Sequence, residues 1–409
     1  MKLCVLLFTT FFALEVLGWS DTKLRKFKKD FSFGVSTSAY QIEGAWNIDG
    51  KGENIWDRYF HVHPELSADG RNGDVASDSY HQYRRDVQML RELGVNHYRF
   101  SISWARILPD GLTNNINEKG LEYYDNLINE LLKYNIQPMV TIYHFDLPQK
   151  LQELGGWANP LVVQWFEEYA RVLFDRYADR VKYWITVNQP SVCFESYGGT
   201  SAPGIHSKGV GDYICVKHML LAHAKAYRLY ESEYKKKYKG SVGISLQLNW
   251  AHGINNQTEN EDAAQLYRDF TSAPYGIYKL CLYLNQNYNY PQNIYITEQG
   301  WSTGPGLNDR SRVSYLREYL TALLFAIEDG TNMKGYTVWS LMDNVEWTSG
   351  TSERFGLYEV DFESEEKTRT ARLSAVVYKR IIQKRVVEKD WEPDSWEISI
   401  TERSKKDEL

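Results

Sequence analysis

Asn293-Ile294-Tyr295-Ile296-Thr297-Glu298-Gln299-Gly300 is a run of β-branched and aromatic residues that ends on a carboxylate. The pattern predicts a strand over 293–297 with Glu298 just past its C-terminal end. A second run, Val181 to Val187, leads in the same way into Asn188-Gln189-Pro190. Polar side chains at the C-terminal ends of successive strands are where an α/β barrel keeps its chemistry. One of these ends carries a carboxylate and the other only an amide. Two carboxylates so placed would read as glycoside hydrolysis, and a glutamine in place of one removes a proton carrier.

Working outward, further short strands are expected at Phe33–Ser38, Asn96–Ile102, Gln137–Tyr143, Ser241–Leu248 and Gly335–Ser340. Between them lie amphipathic stretches at Asp78–Leu93, Glu118–Tyr134, Pro160–Tyr177, Val216–Tyr238 and Ser311–Asp329. Strand alternating with helix predicts a parallel sheet with crossover helices, so the expected fold is α/β, a (β/α)8 TIM barrel. Closing such a barrel takes eight strands, and only seven are recognisable. Phe270-Thr271-Ser272-Ala273-Pro274 joins two helical stretches, Glu261–Phe270 and Tyr275–Gln286, with no apolar strand between. Trp396–Thr401 alternates like a strand but follows the last barrel element, which makes it a weak substitute.

The chain of 409 residues opens on Met1-Lys2-Leu3 and an apolar stretch to Leu17, which fits a secretory signal over residues 1–18. Residues 19–395 then read as one barrel domain, and 396–409 as a tail ending Lys406-Asp407-Glu408-Leu409, the tetrapeptide that an endoplasmic-reticulum retrieval receptor reads. The expected location is the lumen of that compartment, or outside the cell if retrieval is inefficient. No later stretch reaches the ~20 apolar residues of a membrane span. Cys193, Cys215 and Cys281 match neither a metal knuckle nor a dense disulfide framework and allow at most one bridge. Asn256-Gln257-Thr258 is a glycosylation sequon, with an unused tripeptide as the equal alternative. With 47 basic and 53 acidic residues interspersed, the chain has no electrostatic footprint for nucleic acid or an anionic membrane. Its 13 Trp and 30 Tyr suit a sugar cleft, where flat ring faces meet carbohydrate C–H surfaces.

Other strand ends also finish in polar groups: Gln41-Ile42-Glu43, His144-Phe145-Asp146 and Asp343-Asn344-Val345-Glu346-Trp347. Together they suggest side chains converging on one barrel mouth. Glu298 reads as a nucleophile for an anomeric carbon, and His144 as a partner for a sugar hydroxyl. Arg99, inside an otherwise apolar strand, needs a buried anion. Glu298 is the natural partner, and a purely structural pair with another barrel carboxylate is the alternative.

These motifs together resemble the family 1 glycoside hydrolases, the β-glucosidase and myrosinase family. The matching segments are Phe31 to Ala45, Tyr98 to Pro109, His144 to Pro148, Thr186 to Pro190, Ile296 to Gly300 and Trp339 to Trp347, in the family's order. The resemblance implies that Glu298 is the nucleophile of a retaining mechanism, oriented and ionised by Arg99. It implies that Gln41, His144, Asn188, Glu346 and Trp347 hold the glycone hydroxyls, with Asn188 at the 2-hydroxyl and Trp339 as the floor of the subsite. No metal or organic cofactor is implied.

The chain departs from that family at three points. The acid/base glutamate is Gln189, and an amide can neither protonate a departing oxygen nor deprotonate water. Plant myrosinases resemble the chain in this, and their glucosinolate substrates expel a stabilised anion that needs no proton. The family's sixth strand, with its Asn-x-Tyr motif, has no counterpart between Asp269 and Pro274. Either the flanking strands close over the gap, or the chain is an alternative transcript or an incomplete gene model. Gln299 replaces the family's Asn, a mild change. The expected function is a retaining β-glycosidase acting on β-glucosides or thioglucosides with good leaving groups through Glu298. The rival is a sugar-binding or lumenal interaction protein of the same family.

Overall fold

The structure is a computed structural model and describes residues 25–247, 274–287 and 293–400. Seven parallel strands form one sheet: β1 Ser32–Ser36, β2 His97–Ser101, β3 Gln137–Tyr143, β4 Tyr183–Asn188, β5 Ser241–Ser245, β6 Ile294–Gln299 and β7 Met333–Trp339. The spatial order β5-β4-β3-β2-β1-β7-β6 wraps the sheet into a nearly closed barrel, an incomplete (β/α)8 fold. Each expected strand is present, with ends shifted by a few residues. Glu298 lies within β6 rather than beyond it.

Local sequence explains the elements. The helix Glu118–Lys133 buries Leu121, Tyr124, Leu127, Ile128 and Leu131, a stripe at three- and four-residue spacing, against the sheet. The helix Ser79–Leu93 stops at Gly94, whose φ of 76° returns its N–H to Leu90 and Arg91 carbonyls, the left-handed ending that glycine takes without strain. The helical stretch expected over Val216–Tyr238 begins earlier, at Gly211, and its last two turns widen into a π turn at Tyr230–Tyr234. Residues 396–400 form no strand, so that segment does not replace the missing one. A small antiparallel pair, Tyr358–Val360 with Arg369–Ala371, follows the barrel, and the helix Leu373–Lys384 packs against the helices Ser79–Leu93 and Arg310–Glu328.

Three strands are pinned at the base by His97. Its ring accepts or donates at 2.8 Å to both Ser32 Oγ and Thr337 Oγ1, joining β1, β2 and β7. Gly34 makes room for it: a Cβ there would come within 2.2 Å of the imidazole. Burial holds His97 down at about 3, so the ring is neutral.

The gap falls between β5 and β6. Among the described residues no backbone ladder joins these strands, yet Ser245 Oγ and Thr297 Oγ1 meet at 2.7 Å across the seam. The rings of Tyr183 and Tyr295 approach to 5.9 Å further down. Side chains of the flanking strands thus meet across the gap, and the barrel stays nearly, not fully, closed. The contact is narrow, and β5 and β6 keep partial exposure where β1 and β3 are largely buried. The adjoining helix Gly211–Leu229 likewise leaves Tyr213, Leu220 and Tyr227 in the open. No helix among the described residues is long and apolar enough to cross a membrane. The signal segment, Asn256, the Glu261–Phe270 stretch and Lys406 to Leu409 lie outside the described residues.

Because so few groups bridge the seam, Ser245→Ala should lower the unfolding free energy by about 1 kcal/mol, the net worth of one buried hydrogen bond. A lower denaturant midpoint at unchanged slope would show it. An unchanged midpoint would mean that the hydroxyl pair does not hold the strands together.

Candidate active site

The strand order places the predicted residues at one end of the barrel. Gln41 follows β1, Arg99 sits in β2, His144 follows β3, Asn188 and Gln189 end β4, Glu298 is near the end of β6, and Trp339 ends β7. At the centre is Arg99. Its Nη1 donates to Glu298 Oε2 at 2.7 Å and to the Thr297 carbonyl at 2.9 Å. Its Nη2 donates to Asn188 Oδ1 at 2.7 Å and its Nε to Thr141 Oγ1 at 3.1 Å. One guanidinium thus ties β2, β3, β4 and β6. It is fully buried, and burial lowers its proton affinity while Glu298 raises it back. Of the two sequence alternatives for Arg99, the pair with Glu298 is the one observed.

The Arg99 contact fixes a chain of donors. Since Asn188 Oδ1 accepts from Arg99, its Nδ2 must donate, and it meets His144 Nε2 at 3.2 Å. Nε2 is therefore the acceptor and the proton sits on Nδ1. Burial, then the charge of Arg99, push His144 well below its ordinary value, so it is neutral. Nδ1 is buried and has no hydrogen-bond partner in the protein.

Across the mouth, Gln41 Nε2 donates to Glu346 Oε2 at 3.0 Å while Gln41 Oε1 accepts from Ser38 Oγ at 2.7 Å. Glu346 is pushed up to about 8, first by removal from solvent and then by the charge of Glu298. Part of its surface remains reachable all the same. The His144 ring lies nearly parallel to Trp339 at 5.8 Å and to Trp347 at 6.1 Å, and Trp347 stacks on Tyr40 at 6.0 Å. Flat apolar faces and convergent polar groups are the composition of a sugar pocket. Gln189 takes a left-handed φ of 39° and is held by its backbone N–H to the Ser245 carbonyl at 2.9 Å.

The sequence profile described as "Glycosyl hydrolase family 1" matches residues 23–273 and 268–387. The chain belongs to glycosyl hydrolase family 1. It is 39% identical to Myrosinase 1 of Brevicoryne brassicae, over 87% of this chain and 98% of that protein. The solved structure of an aphid myrosinase superposes with a TM-score of 0.83 at 38% identity, covering 88% of this chain and 99% of the other. A mutant rice β-glucosidase with Glu changed to Gln, solved in covalent complex with Glc, superposes at 0.81 and 31% identity, over 87% and 99%. Membership makes the chain a glycosyl hydrolase with β-glycosidase relatives. The two profile segments overlap at residues 268–273. The alignment to the aphid protein runs over 457 positions, but 87% of 409 residues is only about 356, so roughly 100 positions lack a counterpart here.

Not every polar strand end converges on the mouth of this family 1 barrel. Glu43 accepts from Arg106 Nε at 2.9 Å and from the Tyr124 hydroxyl at 2.6 Å, and Asp343 is bound by both Nη atoms of Arg372 at 2.7 and 2.8 Å. Their neighbours in sequence point into the pocket, while these carboxylates neutralise buried arginines beside it. Thr141 and Ser245 were passed over because hydroxyls in β-branched runs look like ordinary strand residues. Their inward phase, shared with Arg99's register partners, is the signal that marks them.

Glu346 generates a pH prediction. Folding favours its neutral form, so its contribution to stability is complete below about pH 4.5 and is lost as pH rises through about 8. Glu346→Gln keeps the shape without the titration. Between those limits its unfolding free energy should gain on the wild type with rising pH, and parallel curves would contradict the assignment.

Proposed function

We propose that the protein is a retaining β-glycosidase that forms a glycosyl intermediate on Glu298 and takes β-glucosides or thioglucosides with good leaving groups. The observation that carries this is the Arg99–Glu298 contact at 2.7 Å, on a guanidinium that also orients Asn188. Arg99 Nη1 holds Glu298 Oε2, and a carboxylate oriented in this way is suited to act as a nucleophile. Glu298 attacks the anomeric carbon, the C–O or C–S bond breaks, and the leaving group departs with the electron pair. Asn188, His144 and Gln41 with Glu346 hold the ring hydroxyls, and Trp339 supports the ring face. In the second step water attacks the same carbon, the bond to Glu298 breaks and returns its electron pair to the carboxylate, and the water's proton passes to solvent or an external base.

Gln189 sets the leaving-group requirement. It can donate a hydrogen bond to a departing atom but no proton, and general acid help is commonly worth ~10²–10⁴ in rate. A leaving group that is stable as an anion escapes that loss. Support comes from the rice β-glucosidase mutant, a glutamine-bearing relative that holds Glc covalently. The second reading, a sugar-binding protein that does not turn over, is favoured by the same glutamine. We further place the protein in the secretory lumen. The Cys193–Cys215 disulfide supports an oxidising compartment.

The test is turnover of paired glucosides. 2,4-Dinitrophenyl β-glucoside should be cleaved and methyl β-glucoside should not. Azide should speed release of the intermediate, and Glu298→Ala should abolish both effects. Gln189→Glu should raise hydrolysis of poorly activated glucosides by roughly 10²–10⁴. A folded protein that cleaves none of these, with or without azide, would leave only the binding reading.

A further inference from the structure

Behind the sugar-facing wall lies a group of buried polar atoms that the proposed chemistry does not use. Asp146 is wholly buried, two residues after His144, and neither of its carboxylate oxygens has a hydrogen-bond partner in the protein. The Ser103 hydroxyl lies close enough to favour its ionised form but not in hydrogen-bonding geometry, and is itself unpartnered. Asn54 Nδ2 and Arg106 Nη1 are also buried without partners. This is not for want of contacts on those side chains. Asn54 Oδ1 caps the helix Ile55–Val62 through Trp56 and Asp57 N–H groups, and Arg106 spends Nε on Glu43 and Nη2 on the Gly44 carbonyl. One donor on each is left over. Asn54, Ser103 and Arg106 line the same small cavity, of about 10 Å³.

Asp146 adjoins this cavity through Ser103 rather than lining it, and unpaired polar groups gathered so closely are costly and call for a common partner. Two N–H donors and a carboxylate match a molecule that accepts two hydrogen bonds and donates two. A metal ion fits poorly, because the two N–H groups would face it with their positive ends. Among the described residues no set of three or more potential ligands is gathered for one. The volume suits about one water molecule.

The location gives the site a role. Phe145 has a φ of 73°, a strained value for a bulky residue, so the turn from His144 to Pro148 must be held by its surroundings. Backbone contacts hold its far end, where the Leu147 carbonyl accepts from Ile55 N at 2.9 Å and Pro148 bridges to Asn54. Asp146 is the side chain between that end and His144. We propose that a single internal water joins Asp146 to Asn54, Ser103 and Arg106, and that Asp146 acts through it as a positioning residue for His144. Burial and the nearby Glu43 charge push the Asp146 carboxyl up to about 7, in keeping with an acceptor that lacks a direct cationic partner.

A crystal structure of the full chain at high resolution tests the site itself, whatever the protein does to glycosides. The expected result is one water at about 2.7–3.2 Å from at least three of the four side chains. An empty cavity, or a peak with the shorter contacts of a metal ion, would overturn the proposal. The positioning role rests on the sugar-site reading and is tested by calorimetric binding of isofagomine, a probe that requires no turnover. Asp146→Asn, which can still accept from water, should bind within about threefold of wild type. Asp146→Leu, which cannot, should bind roughly tenfold more weakly at intact circular dichroism. Should that variant fail to fold, Ser103→Ala removes one water contact and should weaken binding by about threefold. Wild-type affinity in the folded leucine variant, or in Ser103→Ala where it is the substitute, would overturn the role. If wild type itself binds no isofagomine while the water is present, the positioning claim falls together with the sugar-site reading, and the hydration site stands.

Discussion

A guanidinium buried in an apolar strand cannot be left unsatisfied, and the site depends on that constraint. Arg99 is placed by the register of β2 between β1 and β3, with its charge inside the barrel. Its donors can be satisfied only by groups brought in from several strands. Thr141, Asn188, the Thr297 carbonyl and Glu298 answer that need from β3, β4 and β6. The Glu298 carboxylate is therefore positioned by the same demand that organises the barrel interior.

The constraint matters more here than in a complete barrel. With a strand missing, β6 is attached to the sheet by one ladder, to β7, and by the Ser245–Thr297 hydroxyl pair on its other side. The Arg99 contacts to Thr297 and Glu298 draw the same strand inward. Breaking a buried charge pair by removing one partner is costly because the remaining charge is uncompensated. Placement of Glu298 and the contact across the seam thus depend on one set of hydrogen bonds, and the partial exposure of β5 and β6 is what remains where those bonds do not reach.

Much of this was legible in the residues. The seven strands follow from short β-branched runs, and the gap from the absence of such a run before Pro274. The mouth residues followed from polar groups at strand ends. Arg99 stood out because charge in an apolar strand demands an anion. Position at a strand end alone does not tell which carboxylate of each cluster enters the pocket; the family resemblance supplied Glu346. Glu43 and Glu346 are each within a few residues of a strand end, and only the positions of Arg106 and Tyr124 in space draw Glu43 away. The closing contact was equally hidden, because Ser245 and Thr297 are far apart in sequence and Ser245 belongs to no motif. Asp146 looked like part of the sugar site, and its two unpartnered oxygens emerge only from packing.

The central claim is that the seven-strand barrel holds Glu298 oriented for attack even though Gln189 cannot act as an acid. The most direct measurement is intact-protein and peptide mass spectrometry after exposure to 2,4-dinitrophenyl 2-deoxy-2-fluoro-β-glucoside, whose leaving group needs no proton and whose glycosyl intermediate is long-lived. The account predicts a single fluoroglucosyl adduct located on Glu298. A folded protein, verified by circular dichroism, that acquires no adduct or carries it elsewhere would contradict it.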